Sequence, residues 1–290
     1  MSPLSRALTA LAFLLLPFSA PVQAAAPATV EVVQAPAWRD RNGYTVPLAV
    51  GMPLQSGDVV RTGPGARAYL LLAEGSRVKL GEAAQFSLHS RSLRPERYFR
   101  GALDILSGPF RFTTGRLNKT LPRELAIRVG TATIGIRGTD LWGRTNQDGD
   151  LVALLEGRIE ITRAGQTTEM AQPMTYYDAP RGQAAAVKPL DPEVLRMLAR
   201  QTEILPGDGA ARAKGSWIVR AGSAPSEEAA LELYDRVREA GFAARVRPHA
   251  AEGGGWRYEV LLRGFASAAE AELAAARLKA ATGLNPGVGR

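Results

Sequence analysis

Trp217-Ile218-Val219-Arg220-Ala221-Gly222 reads as a short strand, and Ser226-Glu227-Glu228 opens a helix just after it. Aromatic and β-branched residues in alternation mark the strand. Ser226 is placed as an N-cap, the two glutamates sit where negative charge meets the positive end of a helix, and Gly241 stops it. Ala230, Leu233, Tyr234 and Val237 share one helical face. The pattern then returns. Residues 243–247 form a second strand, Gly253-Gly254-Gly255 turns the chain, and 256–262 form a third. Ser267-Ala268-Ala269-Glu270 is a capping box, followed by inward Ala271, Ala274, Ala275 and Leu278, with Gly283 at the stop. Trp217-x-Val219-x-Ala221…Ser226 corresponds position by position to Tyr258-x-Val260-x-Leu262…Ser267, at one constant offset. A β-α-β unit used twice predicts an α+β domain over 215–290: βαββαβ, with a four-stranded antiparallel sheet and both helices on one face.

The other face of that sheet is left open, and strand alternation says what it carries. With Trp217, Val219 and Ala221 turned to the helices, Ile218, Arg220 and Gly222 point out. With Tyr258, Val260 and Leu262 inward, Arg257, Glu259, Leu261 and Arg263 point out. Val246 inward sets Arg245 and Arg247 outward. Five arginines then face one acid, Glu259, which favours an anionic partner. Arginine meets carboxylate in a planar two-pronged geometry. Trp256, at the strand start, offers an aromatic surface. A solvated antiparallel sheet face is the plainer alternative.

Upstream, the segment 164–214 reads as a linker with one short helix. Asp191 is its N-cap, Pro192 its first residue, and Val194, Leu195 and Leu198 its apolar stripe. Pro206-Gly207-Asp208-Gly209-Ala210-Ala211 reads as a flexible connection. Residues 25–163 form an all-β domain, a sandwich, roll or solenoid-like stack. Its strands include Thr29-Val30-Glu31-Val32-Val33, Ala68-Tyr69-Leu70-Leu71-Leu72, Gln85-Phe86-Ser87-Leu88 and Arg158-Ile159-Glu160-Ile161. Turn signals stand at Ser56-Gly57-Asp58, Gly63-Pro64-Gly65, Glu74-Gly75-Ser76, Asp148-Gly149-Asp150 and Glu156-Gly157.

The N-terminal stretch 1–24 reads as a cleavable secretory signal. Arg6 is its only charge, positions 7–16 are an apolar run ended by Pro17, and Val22-Gln23-Ala24 suits a signal peptidase. The run is shorter than the roughly 20 apolar residues a membrane span needs, and no later segment approaches that length. The mature chain is therefore expected to be periplasmic, beginning near Ala25, without a transmembrane span. Losing Arg6 takes the net charge from +8 to +7. Export makes nucleic acid an improbable partner and leaves an anionic lipid or cell-wall polymer as the class.

Chemistry-bearing side chains are sparse. The 290 residues include no cysteine and two histidines, His89 and His249, far apart in sequence. That argues against thiolate metal sites, zinc catalysis and a serine–histidine–acid triad. Asp140, Asp148, Asp150 and Glu156 cluster in sequence, as paired carboxylates for hydrolysis would. Turn placement of Asp148 and Asp150 is the stronger reading. His89 reads as solvated or locally bonded. The basic stretch Arg91-Ser92-Leu93-Arg94-Pro95-Glu96-Arg97-Tyr98-Phe99-Arg100 reads as a solvated loop rather than a polymer grip. No catalytic residue, metal site or cofactor is expected.

Two family resemblances rest on quoted motifs. Leu54-Gln55-Ser56-Gly57-Asp58-Val59-Val60-Arg61-Thr62-Gly63, Glu74-Gly75-Ser76-Arg77-Val78 and Ile136-Arg137-Gly138-Thr139-Asp140-Leu141 resemble a FecR-type domain, over roughly 48–162. The repeated unit, with Gly222-Ser223, Gly241-Phe242 and Gly264-Phe265, resembles a SPOR domain over nearly all of 215–290. Departures from the SPOR pattern stand at Arg220, Ala224 and Arg263-Gly264, where ligand contacts rather than fold are concerned. The SPOR resemblance implies binding to septal peptidoglycan, on glycan strands poor in stem peptides, and hence a link to cell division. Such strands expose lactyl carboxylates, so the glycan-binding residues would be Arg220, Arg245, Arg247, Trp256, Arg257 and Arg263. The FecR resemblance implies an exported interaction or scaffold module, with a periplasmic or envelope protein as its partner. Two other classes stay open: a wall-modifying enzyme targeted by the same domain, and a periplasmic ligand sensor of a signalling system.

Overall fold

The computed structural model describes residues 26–92, 98–115, 123–251 and 254–290. The expected signal peptide (1–24) lies outside them, as do 93–97 of the basic stretch. The first part of the chain is built from β1 (Ala28–Gln34), β2 (Ala37–Arg41), β3 (Tyr44–Pro47), β4 (Pro53–Leu54) and β5 (Val59–Thr62). It continues with β6 (Arg67–Leu72), β7 (Arg77–Leu80), β8 (Gln85–Ser90), the long β9 (Phe99–Thr113) and β10 (Arg123–Val129). The hairpin of β11 (Ala132–Thr145) and β12 (Gly149–Arg163) follows.

These strands make two layers that share three long members. One layer runs β3–β2–β5–β8, then the first half of β9, β10 in parallel, and the near ends of the β11–β12 hairpin. The other runs β1–β6–β7, then the second half of β9 and residues 140–145 of β11. β9, β11 and β12 can serve both layers because each bends at a glycine with positive φ: Gly108 (81°), Gly138 (61°) and Gly157 (88°). Gly138 and Gly157 face each other, and a Cβ on Gly157 would run into the Gly138 carbonyl. Glu156-Gly157 is thus a bulge inside β12 and not the turn its composition suggests. Val60, Phe86, Leu103, Ile127 and Ile161 of one layer pack with Val30, Leu70, Phe110, Phe112 and Val152 of the other in a single core.

β structure extends past Arg163. β13 (Gln166–Met170) and β14 (Thr175–Pro180) both pair with β12, and β15 (Ala186–Pro189) pairs with β14. The segment expected as a linker therefore supplies three strands before its helix, α1 (Pro192–Thr202). Asp191 caps α1 as its position predicts, accepting from Glu193 N–H at 2.7 Å. Leu195 and Leu198 pack on the buried Trp142, whereas Val194 of the same stripe is exposed.

The last part holds β17 (Trp217–Ala224), α2 (Glu227–Glu239), β18 (Arg245–Ala250), β19 (Trp256–Phe265), α3 (Ala268–Thr282) and β20 (Gly287–Gly289), after a two-residue β16 (Ala211–Arg212). The strand order is β18–β19–β17–β20, all antiparallel. Ser226 and Ser267 cap the helices and Gly283 ends α3 at φ 71°. Val219, Val260 and Leu262 pack beneath Val237, Ala271, Ala274 and Leu278.

The two parts are joined by a sheet. β16 pairs with β1 (Val33↔Ala211) and with β19 (Ala211↔Phe265), so one set of strands runs across the junction. The stretch expected to be a flexible connection is anchored instead. The N–H groups of Gly207, Gly209 and Ala210 all donate to the buried Glu270 carboxylate, at 3.0, 2.5 and 2.8 Å. Sequence places Glu270 in a capping box. The Ser267 half is present, but the glutamate turns outward to the connection.

Candidate functional site

The open face of the second sheet can be read off its register. One row sets Arg247 beside Glu259 and Ser223. The next sets Arg245, Leu261 and Arg220 side by side. A third pairs Arg263 with Ile218. Strand pairing thus brings Arg220, Arg245, Arg247 and Arg263 onto one surface, and Arg257 joins them opposite His249.

Their electrostatic states differ. Arg220 Nε donates to Glu259 Oε1 at 2.6 Å, so the one acid of the face among the described residues is matched to one arginine. Arg245, Arg247, Arg257 and Arg263 are exposed, and no described residue makes a hydrogen bond or ion pair with their guanidinium groups. Four unmatched cations on one sheet face attract a polyanion over roughly a Debye length, about 8 Å at physiological salt.

Two placements depart from simple alternation. A bulge between Arg220 and Gly222 shifts the β17 register. Gly222 is thereby turned to the helix side, where a Cβ would sit 2.7 Å from Leu233 Cδ2, and Ser223 takes the outward position. Trp256 is 62% exposed, yet its register partner is Ala250 and it shares the parity of Tyr258 and Val260. Its root is on the helix side, at the end of β19 beyond the helices' core. Ile218 and Leu261 point out but are nearly buried, giving the face an apolar centre between the arginines.

The clustered carboxylates of the first part are dispersed into structural roles. Asp140 takes both prongs of Arg111 at 2.9 Å. Asp150 is buried and accepts from Thr131 N–H, Thr131 Oγ1 and Thr145 Oγ1, fixing the β11–β12 hairpin. Asp148 belongs to the turn, its N–H bonded to Asn146 Oδ1. His89 lies 3.2 Å from Ser87 Oγ and 3.3 Å from Asp104, a local partnership at the strand end. Among the described residues no group of three His, Asp or Glu side chains could hold a metal ion, and no helix is long and apolar enough to cross a membrane.

Two family models match separate stretches of the chain. The FecR protein family model matches residues 58–160, and the SPOR domain model matches 213–288. The chain carries a FecR domain followed by a SPOR domain. A search of curated proteins returns no match. Two crystal structures of a protein provisionally assigned as an anti-sigma factor, from Parabacteroides distasonis, overlap the chain. One is 13% identical, with a TM-score of 0.38, covering 67% of this chain and 95% of the other. The second is 12% identical, with a TM-score of 0.40, covering 78% and 91%. The SPOR match spans β17–β20, so the arginine-bearing face belongs to that domain.

Proposed function

We propose that this is an exported, non-enzymatic envelope protein. Its SPOR domain binds peptidoglycan, on glycan strands poor in stem peptides, and its FecR domain is an interaction or scaffold module. The observation that supports it is the open face: Arg245, Arg247, Arg257 and Arg263 stand unmatched by any described acid, around a sheet centre of Leu261 and Ile218. Glycan stripped of stem peptides presents a carboxylate on each muramic residue, with apolar ring faces between. Charged two-pronged hydrogen bonds of this kind contribute about 1.5–3 kcal/mol each when partly desolvated. Trp256 reaches such a strand only where it overhangs the end of β19.

Pelleting of the mature chain with wall sacculi tests this reading. Sacculi stripped of stem peptides should retain more protein than intact ones, without release of soluble fragments. Changing Arg220, Arg247 and Arg257 together to Ala should weaken retention at least tenfold. Full retention by a folded triple variant, or release of fragments by the parent, would overturn it.

A further inference from the structure

The junction of the two domains holds a notch with its own chemistry. Along the edge of β19 away from β17, β18 pairs as far as Leu261 and β16 pairs at Phe265. Leu262, Arg263 and Gly264 between them have no strand partner on that side. The break in the sheet opens a half-enclosed cavity of about 310 Å³, at the small end of the range for ligand sites. Both domains and their connection line it. Val33, Leu48 and Val50 come from the FecR side, and Leu261 and Phe265 from the SPOR side. Arg212, Lys214, Arg245, Arg263 and Arg277 complete it. Among the described residues of the lining these five cations meet no acid, in a chain with 28 acids to 36 bases.

The cations are short of counter-charge. No described acid forms an ion pair with any of the five. Among the described residues Arg277 donates only to the Gly65 carbonyl, at 2.9 Å. Burial, and then the neighbouring Arg67, hold its guanidinium below the ordinary value against a smaller pull from Asp208. Walls of Val, Leu and Phe are poor hosts for a ring of hydroxyls and good hosts for hydrocarbon.

We propose that this notch binds a small organic anion with an apolar body, its carboxylate or phosphate meeting Arg212, Lys214 and Arg263 and its hydrocarbon lying on Leu48, Val50 and Leu261. Because the walls come from both domains, the bound ligand would stabilise their junction.

Calorimetric titration of the mature chain with octanoate, octyl phosphate, octanol, inorganic phosphate and N-acetylmuramic acid tests the proposal. Octanoate and octyl phosphate should bind saturably and lose affinity as salt rises. Octanol and inorganic phosphate should not bind measurably. Comparable binding of octanol, or binding of the sugar acid in preference to octanoate, would overturn it. The double variant Arg212→Gln, Lys214→Gln changes side chains off the sheet face. It should bind octanoate at least tenfold more weakly, keep the parent's melting temperature without ligand, and pellet with sacculi as the parent does. Unchanged octanoate affinity in that variant would also overturn it. The pelleting arm keeps this result separate from the fate of the glycan reading.

Discussion

Glu270 Oε2 accepts the backbone N–H of Ala210 at 2.8 Å, tying the first turn of the last helix to the chain that joins the two domains. The same carboxylate also takes Gly207 and Gly209 N–H. Glu270 is 4% exposed, so these are charge-assisted bonds in a desolvated place. Removing the carboxylate would leave its donors without a partner, which costs about 1–3 kcal/mol for each one that water cannot reach.

Glu270→Ala should therefore lower stability by about 3 kcal/mol, the bonds being non-additive. It should also make the 206–210 stretch the first site cut by proteinase K. The parent should resist cutting there. Early cleavage of the parent at 206–210 would show that the anchor does not hold in solution.

Gly241 meets Trp38 across the same junction. Its φ is 84°, and a Cβ there would lie 2.5 Å from Trp38 Cζ2 and 2.8 Å from Pro36 Cβ. Its carbonyl also accepts from Ala37 N–H at 3.1 Å. Gly241→Val should thus destabilise by at least ~2 kcal/mol, adding backbone strain to a clash. Thermal melting checks the loss. Gly254→Val, also at positive φ but with nothing within 4 Å, should cost less. Equal effects would mean that strain alone matters and the junction yields freely.

These two residues show where sequence reading succeeds and stops. Periodicity and caps locate β17, α2, β19 and α3, because Ser226, Ser267 and Gly283 act through close neighbours in the chain. Gly241 is legible as a helix stop but not as a seat for Trp38, which lies in β2 at the other end of the chain. Glu270 is legible as a capping residue, yet its carboxylate has a stronger use for donors in the connection before β16. The open-face arginines follow from alternation alone, whereas the bulge that turns Gly222 inward has no local signal. In the same way, Gly157 signals positive φ, and only the pairing of β12 with β11 decides between a turn and a bulge. Arg212, Lys214 and Arg277 are invisible as a group, since a break in a sheet edge brings them together.

Glu203, just past α1, sets an acid limit on stability. Burial pushes its carboxyl up, but the Lys79 hydrogen bonds at 2.7 Å, the Lys79 and Arg111 charges and the Tyr69 hydroxyl outweigh it. The net position is below the ordinary 4.5. A carboxyl depressed in the folded state stabilises above its unfolded value, and that contribution is lost as pH falls through the folded one. Glu203→Gln should cost about 1–2 kcal/mol at pH 7, and the gap to the parent should close below about pH 4.5. Melting curves over pH 3–7 read this. A gap constant with pH would mean that packing, not charge, is what Glu203 contributes.

Tyr69 gives the matching alkaline limit. Burial, foremost, pushes its hydroxyl from 10.0 up to about 12, and that hydroxyl accepts Ile204 N–H at 2.6 Å. A raised value stabilises fully below the unfolded one and is lost as pH rises through the folded one. Tyr69→Phe should lower stability at neutral pH, because Ile204 N–H loses its acceptor. Its deficit against the parent should narrow between about pH 10 and 12. Ultraviolet titration should show one tyrosine fewer ionising late in the variant. An unchanged late phase would place the slow group elsewhere.

Glu259 is the acid that restrains the proposed glycan face, and its removal separates attraction from architecture. It is matched to Arg220 and lies in register with Arg247. If carboxylates of the wall are the ligand, Glu259 competes with them for Arg220 and repels them as well. The pair is partly exposed, so breaking it costs the fold only about 0–1 kcal/mol. Glu259→Gln keeps the shape, frees the Arg220 fork and adds one positive charge to the face. Retention on stripped sacculi should rise severalfold, and its decline with salt should steepen, because one more cation takes part. The melting temperature should hardly move. A folded Glu259→Gln variant that binds less would mean that Glu259 itself contacts the glycan, through sugar hydroxyls, and that the arginines are not the carboxylate receptors argued here.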